Sequence, residues 1–364
     1  MTDPHSRKGP LRGVRVLEFA GLGPAPFAAM LLSDMGADVV RVERPGERQR
    51  AHDLVLRGRT VVTLDLKRPE DAATAGELAA SADILIEGFR PGVMERLGLG
   101  PEPLLARNPR LVYGRMTGWG QDGELAHAAG HDINFIALAG ALDAVGEADG
   151  APTPPLNLVG DYGGGAMYLV AGVLAALLEA RRSGEGQVVD CAICDGVVSL
   201  LTQFHGLAHR GEWRPRGAGL YDGGAHFYAT YRCADGEYLA VGAAEPKFYA
   251  AFREGAGLDD PLFDDQRNPA LWPLLKQKTQ AVIARRTRAE WLAIFATRDA
   301  CVTPVLTVAE ALRDPSLRER GSVVEVDGVP QSAPAPRFEK TPGAIHASAR
   351  VPADNAVARW ARRD

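Results

Sequence analysis

Short apolar runs recur through the first half of the chain, each separated from the next by a stretch whose apolar residues fall at helical spacing. Val14-Arg-Val-Leu-Glu-Phe19 predicts a strand, residues 27–35 a helix ended by Gly36, and Ala37 to Val42 a second strand, which together make a βαβ unit. The alternation continues with strands at Val61 to Leu66, Asp83 to Ile86 and Leu111 to Met116, separated by helical stretches near Pro69 to Ala80 and Pro91 to Leu97. A long apolar run from Ala166 to Ala180 reads as a buried helix, Gln187 to Asp190 as the start of a strand, and Gly196 to Ala208 as a helix. The pattern predicts an α/β fold built on a doubly wound, Rossmann-like parallel sheet.

After Trp213 the pattern changes. Gly, Pro and Arg crowd the stretch to Gly224 as in a linker, and Phe227-Tyr-Ala-Thr-Tyr231 and Tyr238 to Val241, on either side of Asp235-Gly236, predict a hairpin. A helix starts at Ala243-Ala-Glu-Pro246, charged helical stretches run to about Arg298, and Val302-Thr-Pro-Val305 ends a smaller α+β domain. A Pro-rich segment from Val329 to Pro342 is expected to return the chain to the first domain.

Composition narrows the class. With 364 residues, 46% hydrophobic and 24% charged, the chain is long enough for two domains or one large one with insertions. A net charge of −5 argues against general nucleic-acid binding. The polar stretch Met1 to Arg12 has no apolar core, and the apolar run Ala166 to Leu178 is too short to span a bilayer, so a cytoplasmic protein off the membrane is expected. Cys191, Cys194, Cys233 and Cys301 are too scattered for a disulfide framework, and Cys191-Ala-Ile-Cys194 reads as buried small hydrophobes.

Charge is unevenly distributed. Arg41, Arg44, Arg48, Arg50, Arg57, Arg59, Lys67 and Arg68 crowd one short stretch, which is either a solvated face or a site for a small polyanion. Ligands of doubly wound sheets bind beyond the carboxyl ends of the strands, and those connections here read Glu43-Arg44, Asp65-Leu66-Lys67, Gly88-Phe89-Arg90 and Thr117-Gly118-Trp119-Gly120. Three of the four hold a cation. A dinucleotide fingerprint is absent: Pro26 stands where the third glycine belongs, and Pro24 stiffens the turn of Gly21-Leu-Gly-Pro-Ala-Pro26.

Two stretches offer acid–base chemistry. Ala129-Gly-His-Asp-Ile-Asn-Phe135 supplies His131, an imidazole able to exchange a proton near neutral pH. Asn157-Leu-Val-Gly-Asp-Tyr-Gly-Gly-Gly165 supplies Asp161, expected at the N-terminus of the long helix, where burial would raise its pKa and the helix end would lower it. A hydrogen-bonded His–Asp loop pair and an N-capping Asp are the structural alternatives.

Glu18-Phe-Ala-Gly21, Gly36-Ala-Asp-Val-Val-Arg-Val-Glu-Arg44, Gly88-Phe-Arg-Pro-Gly92, Arg115-Met-Thr-Gly-Trp-Gly120, Gly130-His-Asp-Ile-Asn134, Asn157 to Gly165 and Gly242-Ala-Ala-Glu-Pro246 resemble, essentially end to end, the α-methylacyl-CoA racemases of the family III CoA-transferase superfamily. The resemblance implies an intertwined homodimer of linked chains. It implies a large CoA-binding domain from residues 1–191 and 336–364, linkers at 192–224 and 307–335, and a small domain at 225–306, with the active site between the large domain of one subunit and the small domain of the other. It makes His131 and Asp161 the two catalytic bases, with Glu245 beside the histidine from the other subunit. It places coenzyme A contacts on Arg44, Leu64, Asp65, Leu66, Lys67, Gly88, Phe89, Arg90, Arg96, Gly130, Asp132, Ile133, Asn134, Phe135 and Asn157.

The implied reaction inverts the carbon next to the thioester carbonyl of a 2-methylacyl-CoA, in fatty acid and lipid metabolism. It needs one base on each face and donors for the enolate oxygen, for which the backbone N–H groups of residues 161–163 are the expected choice. No metal, flavin or nicotinamide is required, since coenzyme A is part of the substrate. The rival within the superfamily is a CoA transferase whose aspartate, matching Asp161, attacks the thioester carbonyl.

Overall fold

The computed structural model describes residues 7–47 and 53–361, so Arg48 and Arg50 of the basic stretch lie outside the described residues. The chain forms two compact units: the first takes the described parts of Met1–Ala139, Pro155–Leu201 and Pro315–Asp364, the second Gly140–Pro154 and Thr202–Asp314.

In the first unit β1 (Arg15–Phe19), α1 (Pro24–Asp34), β2 (Asp38–Glu43), β3 (Arg59–Thr63), α2 (Pro69–Ser81), β4 (Ile84–Glu87), α3 (Val93–Arg96), α4 (Pro101–Arg107) and β5 (Val112–Thr117) follow in order. After α5 (Asp132–Leu138), a π-helix (Leu158–Ala166) runs directly into α6 (Met167–Ser183), followed by β6 (Val188–Ala192) and α7 (Ile193–Leu200). The second unit holds α8 (Thr202–His209), β7 (Tyr228–Arg232), β8 (Tyr238–Gly242), α9 (Pro246–Ala256), α10 (Trp272–Ile283), α11 (Arg288–Phe295), β9 (Val302–Pro304) and α12 (Val308–Ala311). The chain then returns with α13 (Pro315–Glu319), β10 (Val323–Val326), β11 (Val329–Ser332), β12 (Ala349–Arg350) and α14 (Ala353–Ala361).

The large sheet has seven strands in the order β12-β3-β2-β1-β4-β5-β6, and each pairing is parallel. All six residues of β2 are buried, as expected for a parallel strand covered on both faces. Prolines start five of the described α-helices, α1, α2, α4, α9 and α13, because a first-turn residue needs no N–H donor and proline already holds a helical φ. Pro24 and Pro26 therefore belong to the first turn of α1 and not to a stiff loop before it.

Much of the basic stretch is not a surface. Arg41, Arg57 and Arg59 are buried, because the acids that neutralise them come from neighbouring elements. The register sets Glu18 beside Arg41, and the Glu18 carboxylate accepts from both Arg41 and Arg59, the latter at 3.1 Å. Glu43 accepts from Arg41 at 3.0 Å and from Arg350 at 2.6 Å, and Asp34 from Arg57 at 2.5 Å. Burial pushes the Arg59 guanidinium down from its ordinary pKa, with Glu18 opposing.

The helix containing Asp161 differs from expectation. The π-helix begins at Leu158, so Asp161 lies within its first turn and not ahead of it. Counted from Leu158 to Ser183, the continuous helix of 26 residues is long and apolar enough to cross a membrane, which the run from Ala166 to Leu178 is not. Half of its most apolar stretch is buried, and Leu169, Val170, Val173, Ala176, Leu177 and Ala180 are its inward positions in α6.

In the second unit β7, β8 and β9 form an antiparallel sheet, and the alternation of β7 points Ala229 and Tyr231 inward. Phe227, Phe252, Trp272, Leu275, Trp291 and Phe295 fill the core around them. His226 is buried there with its Nε2 2.7 Å from the Tyr249 hydroxyl, and burial pushes it down to about 4, so it serves the core as a neutral hydrogen-bonding group. Residues 140–154, which the sequence assigns to the large domain, join this unit because Arg216 donates to the carbonyls of Asp143, Glu147 and Gly150. The expected linker at 192–224 is largely helical, as α7 and α8, and its remainder is an ordered loop whose Asp222 carboxylate accepts from the N–H groups of Gly217, Gly219 and Gly224. The expected linker at 307–335 is divided between the units, with β10 and β11 forming a hairpin in the first.

Candidate active site

Parallel pairing brings the carboxyl ends of β1, β2, β3, β4 and β5 to one edge of the sheet. A cleft of about 610 Å³ in the first unit is lined by the turn after β1 (Leu22 to Ala25), by Gly88 to Pro91 after β4, by Met116 to Trp119 after β5, by Gly130, His131, Asn134 and Phe135, and by Asp161 and Ile193. A hollow of about 770 Å³ lies at the other end of the strands, where Arg15, Asp83, Arg107, Arg110 and Arg181 are among the lining residues, and no histidine is among its described lining residues. The proton-moving residues singled out in the sequence meet in the first of these.

His131 is the exposed N-cap of α5, and its backbone N–H donates to Asn134 Oδ1 at 3.1 Å. Asp161 is half-buried. Its backbone N–H donates to Asp132 Oδ2 at 2.6 Å, and its own Oδ2 accepts from Asn157 Nδ2 at 3.4 Å. Gly23 closes the other side: a Cβ there would stand 2.9 Å from Asp161 Oδ2. Burial raises the Asp161 carboxyl above its ordinary range, the Asn157 hydrogen bond works against this, Asp132 adds to it, and His131 lowers it.

Two expectations need correction. The backbone N–H groups at 161 and 162 do not offer an enolate site, since Asp161 donates to Asp132 and Tyr162 donates to the Asn157 carbonyl at 3.2 Å. The reason is that the π-helix starts early, so the Tyr162 amide is bonded within its first turn and the Asp161 amide is capped by Asp132 of α5. Asp132 is buried beneath Asp161 and not displayed toward a ligand, with 8% of its surface exposed.

The other expected ligand contacts separate by environment. Arg44, Lys67, Arg90 and Arg96 are exposed beyond β2, β3 and β4. Among the described residues Arg44 has a surface pairing with Glu47 at 3.4 Å, which costs little to exchange for a phosphate. Leu64 is a core residue and Leu66 packs against that core, so any ligand contact from them is through backbone. The Asp65 carboxylate accepts from the Lys67 N–H at 3.2 Å within its own turn. Phe89 packs 6.5 Å from Phe19, Phe135 stands edge-on to Trp119 at 4.8 Å, and Ile133 is exposed. Glu245 is the exposed N-cap of α9 in the second unit.

Some cleft residues escape sequence reasoning. Trp119 lines the cleft with a buried indole N–H that has no partner among the described residues. Gly23 was visible only as part of a failed dinucleotide fingerprint; the signal that finds it is its place after β1 of a doubly wound sheet. Beneath the β4 turn, Glu87 accepts from the Phe89 N–H at 2.7 Å and from Arg115 at 3.0 Å, fixing the Gly88 to Arg90 loop from below.

The model of CoA-transferase family III matches residues 11–356. The chain is similar to the α-methylacyl-CoA racemase of Mus musculus, 46% identical over 94% of this chain and 90% of the relative, and to that of Homo sapiens, 45% identical over 91% and 87%. In structure it is similar to a CaiB/BaiF family protein from Brucella suis, with a TM-score of 0.79, 27% identity and coverage of 98% of this chain and 99% of the other. A match that runs from before β1 into α14 encloses the sheet, the cleft and the second unit alike, and the chain belongs to CoA-transferase family III.

Proposed function

We propose that this protein is an isomerase that interconverts the two enantiomers of a 2-methylacyl-CoA thioester by removing and returning the proton on the α-carbon. The observation that carries this reading is that one cleft holds both an exposed imidazole, His131, and a half-buried carboxyl, Asp161, whose affinity for a proton burial has raised. Inversion requires proton removal on one face and proton return on the other, so a single base would give exchange with retention. Each pK unit between the α-proton and its acceptor costs about 1.4 kcal/mol, and a carboxyl raised toward neutral narrows that gap. His131 serves one enantiomer and Asp161 the other, Glu245 from a second copy of the chain orients the imidazole, and the side chains complete the proton transfers without a further cofactor.

The test is one enantiomer of a 2-methylacyl-CoA in D2O with no added acid acceptor. Racemisation with one deuterium gained at the α-carbon is the expected result. Acyl transfer that depends on an acceptor acid, with an acyl group trapped on Asp161 by hydroxylamine, would instead make the protein a transferase using Asp161 as nucleophile.

Coenzyme A is held in this reading by the cations at the sheet edge and by backbone at residues 64–67 and 88–90, with Arg44 taking a phosphate through paired N–H donors. Arg44→Ala is expected to raise KM roughly tenfold, about one lost charge-assisted bond, with kcat changed less than twofold. Unchanged KM and CoA affinity would remove Arg44 from the site.

The functional unit we propose is a homodimer with linked chains. Ile133, Leu138, Leu158, Met167, Val198 and Leu200 are exposed on α5, the π-helix, the first turn of α6 and α7, elements that pack on one another, so an apolar surface awaits a partner and a second copy suits it. Linked chains cannot separate without unfolding, and sedimentation is expected to show a dimer at every dilution. A folded, active monomer would contradict this.

A further inference from the structure

We propose that Asp132 is a positioning residue for Asp161: its buried carboxylate caps the π-helix from a neighbouring element and so fixes where the Asp161 side chain enters the cleft. This rests on the reading of Asp161 as a proton-transfer group.

The first N–H groups of a helix have no partner inside it, and a helix is commonly capped by its own preceding residue. Here Asn157 precedes the π-helix, and its side chain makes no capping bond. The cap comes from α5 instead, where Asp132 Oδ2 accepts the Asp161 N–H at 2.6 Å. The fit is tight: a Cβ on Gly160 would stand 2.3 Å from that same oxygen, so only glycine at 160 lets the carboxylate close on the amide.

The other oxygen, Asp132 Oδ1, is buried without a hydrogen-bond partner among the described residues. An uncompensated carboxylate in that position is costly for the fold, and its benefit falls on its neighbour. The groups acting electrostatically on Asp161 are His131 and Asp132, both from α5, together with the uncharged Asn157 amide. Burial is the largest influence on the Asp161 carboxyl, and the Asp132 charge reinforces it in the same direction. One side chain, adjacent in sequence to the other base, thus fixes the position of Asp161 and adds to the proton affinity that burial gives it.

Two substitutions separate these roles. Asp132→Asn keeps an oxygen able to accept the Asp161 N–H and removes the charge; the acid limb of the kcat profile is expected to move to lower pH, with KM held within twofold. Asp132→Ala removes both, and kcat is expected to fall roughly ten- to a hundredfold, as for a misplaced catalytic group, again with KM little changed. Gly160→Ala, which pushes the carboxylate off the amide without removing it, is expected to reproduce the loss of kcat. Carboxyl NMR of carbon-labelled aspartate, with the Asp161 signal identified from Asp161→Asn, follows the same proton without turnover. If the parent fails to racemise but the Asp161 titration still falls in Asp132→Asn, the functional reading is lost and the coupling stands. An unmoved pH limb and Asp161 titration in Asp132→Asn, together with parent-like kcat in Asp132→Ala, would overturn the proposal.

Discussion

With His131 replaced by alanine, or Asp161 by asparagine, racemisation of a 2-methylacyl-CoA falls by about 10²–10⁴-fold, the contribution of a positioned acid or base. Both substitutions are this severe because one full inversion uses the two groups in succession, one taking a proton and the other giving one. The partial reactions divide between the variants. Each is expected to keep solvent exchange of the α-proton for the enantiomer served by its remaining base, so the two variants show opposite preferences in D2O. KM should change little, because Arg44 and the loops after β3 and β4, which would hold the coenzyme, are untouched. Near-parent racemisation by Asp161→Asn would reject the two-base assignment, whereas loss of activity with identical exchange of both enantiomers would reject the division of labour.

Glu18→Gln is expected to destabilise the first unit by about 3–5 kcal/mol, the cost of removing one partner from a buried ionic group. Glu18 is fully buried on β1, and its two oxygens neutralise Arg41 on the adjacent β2 and Arg59 on β3, one strand further, both buried. Glutamine keeps an acceptor but leaves two guanidinium groups sharing no charge from β1, and the Arg59 guanidinium, already held down by burial, has no water to turn to. Urea unfolding followed by circular dichroism reads the change directly. A loss below about 1 kcal/mol, the range of an exposed pair, would mean that the network is hydrated and not a core element.

These two expectations also mark what the residues alone convey. The strands of the large sheet were legible because runs such as Ala37 to Val42 are buried on both faces, and their order placed Gly88 to Arg90 and Thr117 to Gly120 beyond carboxyl ends. The arginines at 41, 57 and 59 were misread as a patch because charge counted along the chain does not show that Glu18 and Asp34 lie alongside in space. The π-helix was hidden for a related reason. Gly163, Gly164 and Gly165 read as the approach to a helix starting near Ala166, yet they lie inside the π-helix where α7 packs closely: a Cβ on Gly196 would stand 1.9 Å from the Gly164 carbonyl oxygen. Glycine there serves helix contact, and only the packed partner shows which helix it meets.

The large sheet ends on residues that follow the whole of the second unit in the sequence. β12 pairs with β3, Trp360 is buried with its indole N–H on Asp38 Oδ2 at 2.7 Å, and Arg350 reaches Glu43. During synthesis the strands from β1 to β6 leave the ribosome long before these partners exist, so β3 remains an open edge and Asp38 and Glu43 lack part of their neutralising charge until residues 350–360 have followed. The first unit therefore cannot reach its final form before the second, which lies between its segments, has been made.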